Sequence, residues 1–135
     1  MGLDYGTKRI GVAMSDELLL TAQGSNTIFN NSASESISAI AKLVEANGVI
    51  EVIVGLPISM NGSHSQKTKE VIEFTENLTK SLPVPVKTWD ERLTTAQAER
   101  ALLEGDMTRS KRKRLNDMIA AQLILQGYLD YRRRG

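Results

Sequence analysis

The sequence predicts an α/β fold: a mixed five-stranded sheet, an antiparallel meander followed by parallel strands, flanked by helices on both faces. Three observations predict it. Residues 1–30 hold strand-like segments separated by short polar turns. The remainder alternates strand and helix. Residues 49–56 form an apolar run broken only by Glu51, the pattern of a central strand covered on both sides. With 135 residues, 41% hydrophobic and 24% charged, the chain reads as one domain, residues 1–135, with a core that needs no covalent staples.

The elements follow in order. Gly2-Leu3-Asp4 starts apolar and runs into turn chemistry at Gly6 and Thr7. Residues 9–15 then read as a second strand, making a hairpin around residues 6–8. Residues 21–29 supply a third strand, weakened by Gly24, Ser25 and Asn26. Asn31 or Ser32 can cap a helix over about 33–47. There Ile37, Ile40, Ala41 and Val44 recur at helical spacing, and Asn47-Gly48 stops it. The central strand ends at Pro57, and residues 57–66 form a polar loop. A helix is expected over about 66–80, carrying Val71, Ile72, Phe74 and Leu78. Pro83 and Pro85 bracket the entry to a strand ending at Trp89. Thr94 or Thr95 can cap a further helix to about Glu104. Residues 105–113 are polar and basic and are expected to be mobile. A final helix is expected from about Leu115 to Tyr131, apolar nearly all round and therefore deeply packed.

Composition excludes several chemistries. The absence of cysteine removes disulfides, thiolate metal sites and thiol catalysis. No apolar run approaches the roughly 20 residues of a membrane helix. Met1 leads straight into a strand-like segment, so no signal peptide is expected and the cytoplasm is the default location. The net charge is only +1, but residues 109–135 carry +6 and residues 1–108 carry −5. Such asymmetry suits a polyanionic partner, nucleic acid above all, or else a solvated basic tail.

Three acids stand beside apolar elements. Asp4 ends a short strand, where it could be a buried functional carboxylate or cap the turn at Gly6-Thr7. Glu91 follows a strand at its carboxyl end, the usual place for ligands in open sheets, though Asp90 or Glu91 could equally cap a helix or pair with Arg92. Asp117 is placed in the first turn of the last helix, which could reflect the helix dipole alone. If the three converge, they repel one another without a cation between them. All-oxygen ligands favour Mg²⁺ or Mn²⁺, and two such ions can drive phosphodiester hydrolysis. His64, the sole histidine, lies in the polar loop and reads as solvated. That loop lacks the Gly-Lys-Ser/Thr ending of a Walker-type phosphate loop.

Residues 2–13, Gly-Leu-Asp-Tyr-Gly-Thr-Lys-Arg-Ile-Gly-Val-Ala, resemble the opening motif of the YqgF family of ribonuclease H-like proteins. Three further segments agree in order: Val54-Gly55-Leu56-Pro57 with Met60-Asn61-Gly62; Asp90-Glu91-Arg92-Leu93-Thr94-Thr95; and Asn116-Asp117 followed by Ala120-Ala121 and residues 124–129. The resemblance implies a ribonuclease H-like fold and a metal-dependent nuclease with Asp4, Glu91 and Asp117 as catalytic metal ligands and Mg²⁺ as the ion. It also implies a role in maturing precursor ribosomal RNA. Branched four-way DNA is the alternative substrate, and it would require two active sites and hence a dimer; a monomer and a weak dimer both stay open. Arg9 and Arg92 match positions beside the acids and are expected to steer phosphate. Arg109, Lys111, Arg112, Lys113 and Arg114 are expected to contact backbone phosphates.

Two other classes compete. An ATP-binding phosphotransferase of the actin and sugar-kinase type also uses an Asp-x-Gly-Thr turn, but it needs two domains, more than 135 residues supply. A non-catalytic nucleic-acid-binding or transcription-associated module would keep the basic arm and use the acids structurally. Six aromatic residues in all argue against a base-stacking platform.

Overall fold

The structure, a computed structural model, describes residues 1–58, 62, 64–93 and 109–134, with side chains from residue 116 onward in the last segment. The described elements are strands β1 (Gly2–Asp4), β2 (Arg9–Ser15), β3 (Ala22–Phe29), β4 (Val52–Leu56) and β5 (Val86–Asp90), and helices α1 (Ala33–Ala46), α2 (Gln66–Ser81) and α3 (Arg109–Arg134). A single 3-10 turn, Glu91–Leu93, follows β5.

The sheet order is β3-β2-β1-β4-β5. Strands β3, β2 and β1 pair antiparallel, whereas β1, β4 and β5 pair parallel. This is the mixed sheet the sequence predicts. Val52, Ile53 and Val54 alternate between two cores, because successive strand residues face opposite sides. On one face, Ile40 and Val44 of α1 and Val71, Phe74 and Leu78 of α2 pack against Leu3, Ile10, Val12, Val52 and Val54. On the other, Ala121, Ile124, Leu125 and Leu129 of α3 pack against Ala13, Ala22 and Ile53.

Local chemistry sets the helix ends. Ser32, not Asn31, caps α1 by accepting from the Glu35 amide, and Asn47 with the left-handed Gly48 closes it. Ser65 and Thr68 form a reciprocal capping box on α2, and the buried Thr68 hydroxyl also donates to the Pro57 carbonyl. Ser65→Ala is expected to cost about 1 kcal/mol, read as a lower urea midpoint with an unchanged slope.

Three expectations need correction at α3. The helix begins at Arg109, not at about Leu115, so Arg109–Lys113 are helical. Arginine and lysine are good helix formers, and the basic turns simply extend the apolar ones. Asp117 therefore sits in the third turn, not the first, and the helix dipole does not account for it. Nor is α3 buried all round: Met118, Ile119 and Leu123 are only half-buried, because the helix lies on one sheet face and presents its outer side away from it. The helix expected at 94–104, residues 105–108 and much of the 57–66 loop lie outside the described residues.

The helix comes close to the sheet because glycines pave its path. A Cβ on Gly2 would lie 2.7 Å from Leu125 Cβ, and one on Gly11 would lie 2.0 Å from the Asp117 carbonyl oxygen. Gln126 then secures the far end, accepting from the Ala22 amide at 2.9 Å and donating to the Leu20 carbonyl at 3.0 Å.

Candidate active site

The register of the three central strands sets out the site. Asp4, the last residue of β1, pairs with Gly11 of β2. On its other side β1 runs parallel to β4 with Leu3 opposite Val54, so one step further brings Gly55 alongside Asp4. Gly11, Asp4 and Gly55 thus form a row across adjacent strands about 4.8 Å apart. Because Leu3 faces the α1–α2 core, Asp4 faces the α3 side, as Gly2 does.

The other two acids reach the ends of this row. The Asp117 backbone of α3 rests directly on Gly11. The 3-10 turn after β5 turns Glu91 back over the sheet, where one of its carboxylate oxygens would be 2.7 Å from a Cβ on Gly55. Glycine at 11 and 55 therefore lets a helix backbone and a carboxylate settle on the strand surface, each one strand away from Asp4. An isolated glycine inside a strand pattern is the sequence signal for such close approach.

Arg9, at the start of β2, places its Nε 2.8 Å from Asp117 Oδ2, and both side chains are mostly buried. The cation beside Asp117 is thus supplied by the chain itself. Among the described residues, no three Asp, Glu, His or Cys side chains are gathered tightly enough to hold one ion. Still, the donors are all carboxylates on one face and at one end of the sheet, the oxygen set a hard divalent cation prefers.

Asp90 is the acid that pairs with Arg92. The guanidinium reaches both Asp90 carboxylate oxygens, with Nη2 to Oδ2 at 2.6 Å, and the Arg92 amide donates to Oδ1 at 2.9 Å. The Arg92 side chain, more than any other group, holds the Asp90 carboxyl below its usual range. This clamp spans the turn immediately after β5, on either side of Glu91. His64 is exposed just before α2. Arg109, Lys111, Arg112, Lys113 and Arg114 occupy the first turns of α3, with side chains outside the described residues.

The hairpin bearing Arg9 is braced from behind. Asn30 donates from its backbone to the Lys8 carbonyl at 2.8 Å and from its side chain to the Gly6 carbonyl at 2.9 Å, while the buried Ser36 hydroxyl donates to Asn30 Oδ1 at 2.7 Å. Tyr5 packs its ring on Phe74 of α2 at 4.6 Å.

A mixed sheet in this order with helices on both faces is a ribonuclease H-like fold, and it carries Asp4 of β1, Glu91 just after β5 and Asp117 of the last helix on one face and at one end of the sheet. The chain belongs to the RuvX family: the family model, described as a Holliday junction resolvase, matches residues 1–131. It is 50% identical over 131 residues to a protein of Halothermothrix orenii named "Putative pre-16S rRNA nuclease", covering 97% of this chain and 94% of the relative. A protein of the same name from Caldanaerobacter subterraneus is 52% identical over 131 residues, covering 96% of this chain and 94% of the relative. The fold resembles Thermus thermophilus RuvC solved with a Holliday junction substrate, at a TM-score of 0.63 and 14% identity over 99% of this chain and 94% of that one.

Proposed function

We propose that residues 1–135 form a single nuclease domain that hydrolyses phosphodiester bonds with the help of divalent cations, Mg²⁺ or Mn²⁺, held by Asp4, Glu91 and Asp117. The observation that carries this reading is the row Gly11–Asp4–Gly55, which sets Asp117 and Glu91 on either side of Asp4. Bound between these carboxylates, such ions would activate water and neutralise the leaving oxygen.

The chain's own residues do the rest. Asp4 sits on the sheet and fixes the centre. With a cation bound, Asp117 would turn from Arg9 to help hold it, leaving the guanidinium available for a phosphate oxygen. The Arg92–Asp90 clamp brackets Glu91, and Arg92 flanks the phosphate path from that side. Arg109, Lys111, Arg112, Lys113 and Arg114 supply further backbone-phosphate contacts at the start of α3.

The substrate we favour is precursor 16S ribosomal RNA in the cytoplasm, supported by the names of relatives around half identical over nearly the whole chain. The second reading, a four-way DNA junction, draws on the family description and would require the chain, a monomer or weak dimer, to act as a dimer. The test incubates the protein with a precursor transcript spanning the 16S 5′ end and, separately, with a four-way DNA junction, each with Mg²⁺, Mn²⁺ or chelator. Metal-dependent cleavage of the transcript is expected. Cleavage of the junction alone would replace the substrate, and binding without cleavage under every metal would leave a non-catalytic module.

A further inference from the structure

Beside the acidic row lies a second feature that the sequence did not single out. A cleft of about 400 Å³ opens between the β1–β2 hairpin and the first turns of α2. Its walls are the Gly6–Thr7 turn, Lys8 and Arg9 of the hairpin and Lys67 and Glu70 of α2, and Asp117 of α3 also lines it. The volume lies in the range of about 300–1,000 Å³ common for binding clefts.

The charges in this cleft are unevenly matched. Arg9 is committed to Asp117 through Nε alone. Lys8 and Lys67 are both exposed, and among the described residues neither enters an ion pair. Against them stands one carboxylate besides Asp117, that of Glu70. Two ammonium groups on separate elements, neither in an ion pair among the described residues, thus line one cleft together with a proposed catalytic carboxylate. The hairpin wall is held in place by Asn30 and Ser36, and the helical wall by the Ser65–Thr68 box and the Thr68 bond to Pro57. Neither wall depends on the lysines for its shape.

We propose that this cleft is the channel for the substrate strand next to the cleaved bond, with Lys8 and Lys67 as its two phosphate contacts. The ligand class is a phosphodiester backbone, recognised by charge and not by base. This deepens the nuclease reading and rests on it for the position of the cleaved bond. It also gives the strand a direction of approach, between hairpin and α2.

The test measures binding without turnover. In an Asp4→Asn background, Lys8→Gln, Lys67→Gln and the double variant are titrated by fluorescence anisotropy against a labelled stem-loop RNA and a labelled four-way DNA junction over a range of salt concentrations. Lys80→Gln, at the far end of α2, serves as the control for loss of one positive charge. Both cleft lysines are exposed, so all variants should melt together. The double variant should bind at least one probe about tenfold more weakly. Its log–log salt slope should fall by about 1.5, since each lost phosphate contact removes roughly 0.7–0.9. Weakening with RNA alone, or with the junction alone, assigns the polymer. A double variant with the slope of Lys80→Gln on both probes overturns the channel. That failure is separable from failure of the nuclease reading: parent protein that binds both probes with the expected lysine dependence but never cleaves either keeps the channel and loses the chemistry.

Discussion

Replacing Asp4 by asparagine is expected to lower metal-dependent cleavage by about 10²–10³-fold or more, the scale associated with removing one preorganised charged group from a reacting centre. The amide keeps the volume of the carboxylate, so the fold should persist, as judged by circular dichroism and urea denaturation. Glu91→Gln and Asp117→Asn should lose activity on the same scale. Asp117→Asn also removes the mostly buried ion pair with Arg9 and is expected to lose about 1 kcal/mol relative to wild type. A further readout separates a metal site from a merely structural one. A cation that binds only the folded state raises stability by an amount that grows with its concentration over its dissociation constant. Wild type should therefore melt higher with millimolar Mn²⁺ than with chelator, and each acid variant should lose that increment. Retention of full activity in any one of the three would remove that residue from the site.

Gly11→Ala is expected to be the most damaging glycine-to-alanine change among the described residues. Its added Cβ would lie 2.0 Å from the Asp117 carbonyl oxygen and 2.5 Å from the carbonyl carbon. Both are backbone atoms inside a helix packed on the sheet, so neither can rotate away. The helix must lift or slide, which breaks the Ala121, Ile124 and Leu125 packing that anchors it. Overpacking of this kind costs about 1–3 kcal/mol and sometimes more, and a backbone-on-backbone clash belongs at the upper end. Gly24→Ala is the control: its nearest contacts are Met118 Cβ at 3.0 Å and the Met118 carbonyl oxygen at 3.3 Å, so the helix need give by only a few tenths of an ångström, about a third of what Gly11→Ala demands. A loss of about 3 kcal/mol for Gly11→Ala against under about 1 kcal/mol for Gly24→Ala is expected from urea denaturation. Similar values would show that α3 does not rest where the glycine row puts it. Activity should fall in Gly11→Ala even where it folds, because Asp117 moves with the helix.

Much of the architecture could be read from local pattern. The hairpin announces itself by Gly6-Thr7 between two strand-like segments, α1 by Ser32 before its apolar repeat and Asn47-Gly48 after it, and β4 by its nearly unbroken apolar run. Strand β5 extends one residue past Trp89 to Asp90, a boundary difference without consequence for the sheet. The start of α3 was less legible for a physical reason. Apolar periodicity marks where a helix touches a core, not where its backbone begins to coil, and residues 109–114 hold no apolar residue that the pattern could register.

The site divides in the same way. Their places beside apolar elements, and then resemblance to a motif, nominated Asp4, Glu91 and Asp117, but only the strand register and the close contacts at Gly11 and Gly55 set Asp117 and Glu91 on the strands beside Asp4. The pairing of Arg9 with Asp117 spans 108 positions and leaves no mark in local sequence. Gly11 and Gly55 carried a usable signal, isolated glycines in strands otherwise rich in β-branched residues, which points to close approach by another element. Lys67 carried none. On the page it is one lysine in a polar helix turn, and only the fold sets it across a cleft from Lys8.

If Asp4, Glu91 and Asp117 close around divalent cations, crystals soaked in Mn²⁺ should give an anomalous peak over the Gly11–Asp4–Gly55 row, with carboxylate oxygens at about 2.0–2.3 Å and the Arg9 guanidinium displaced from Asp117. Manganese bound elsewhere while Arg9 still holds Asp117 would mean that these acids do not form the metal site.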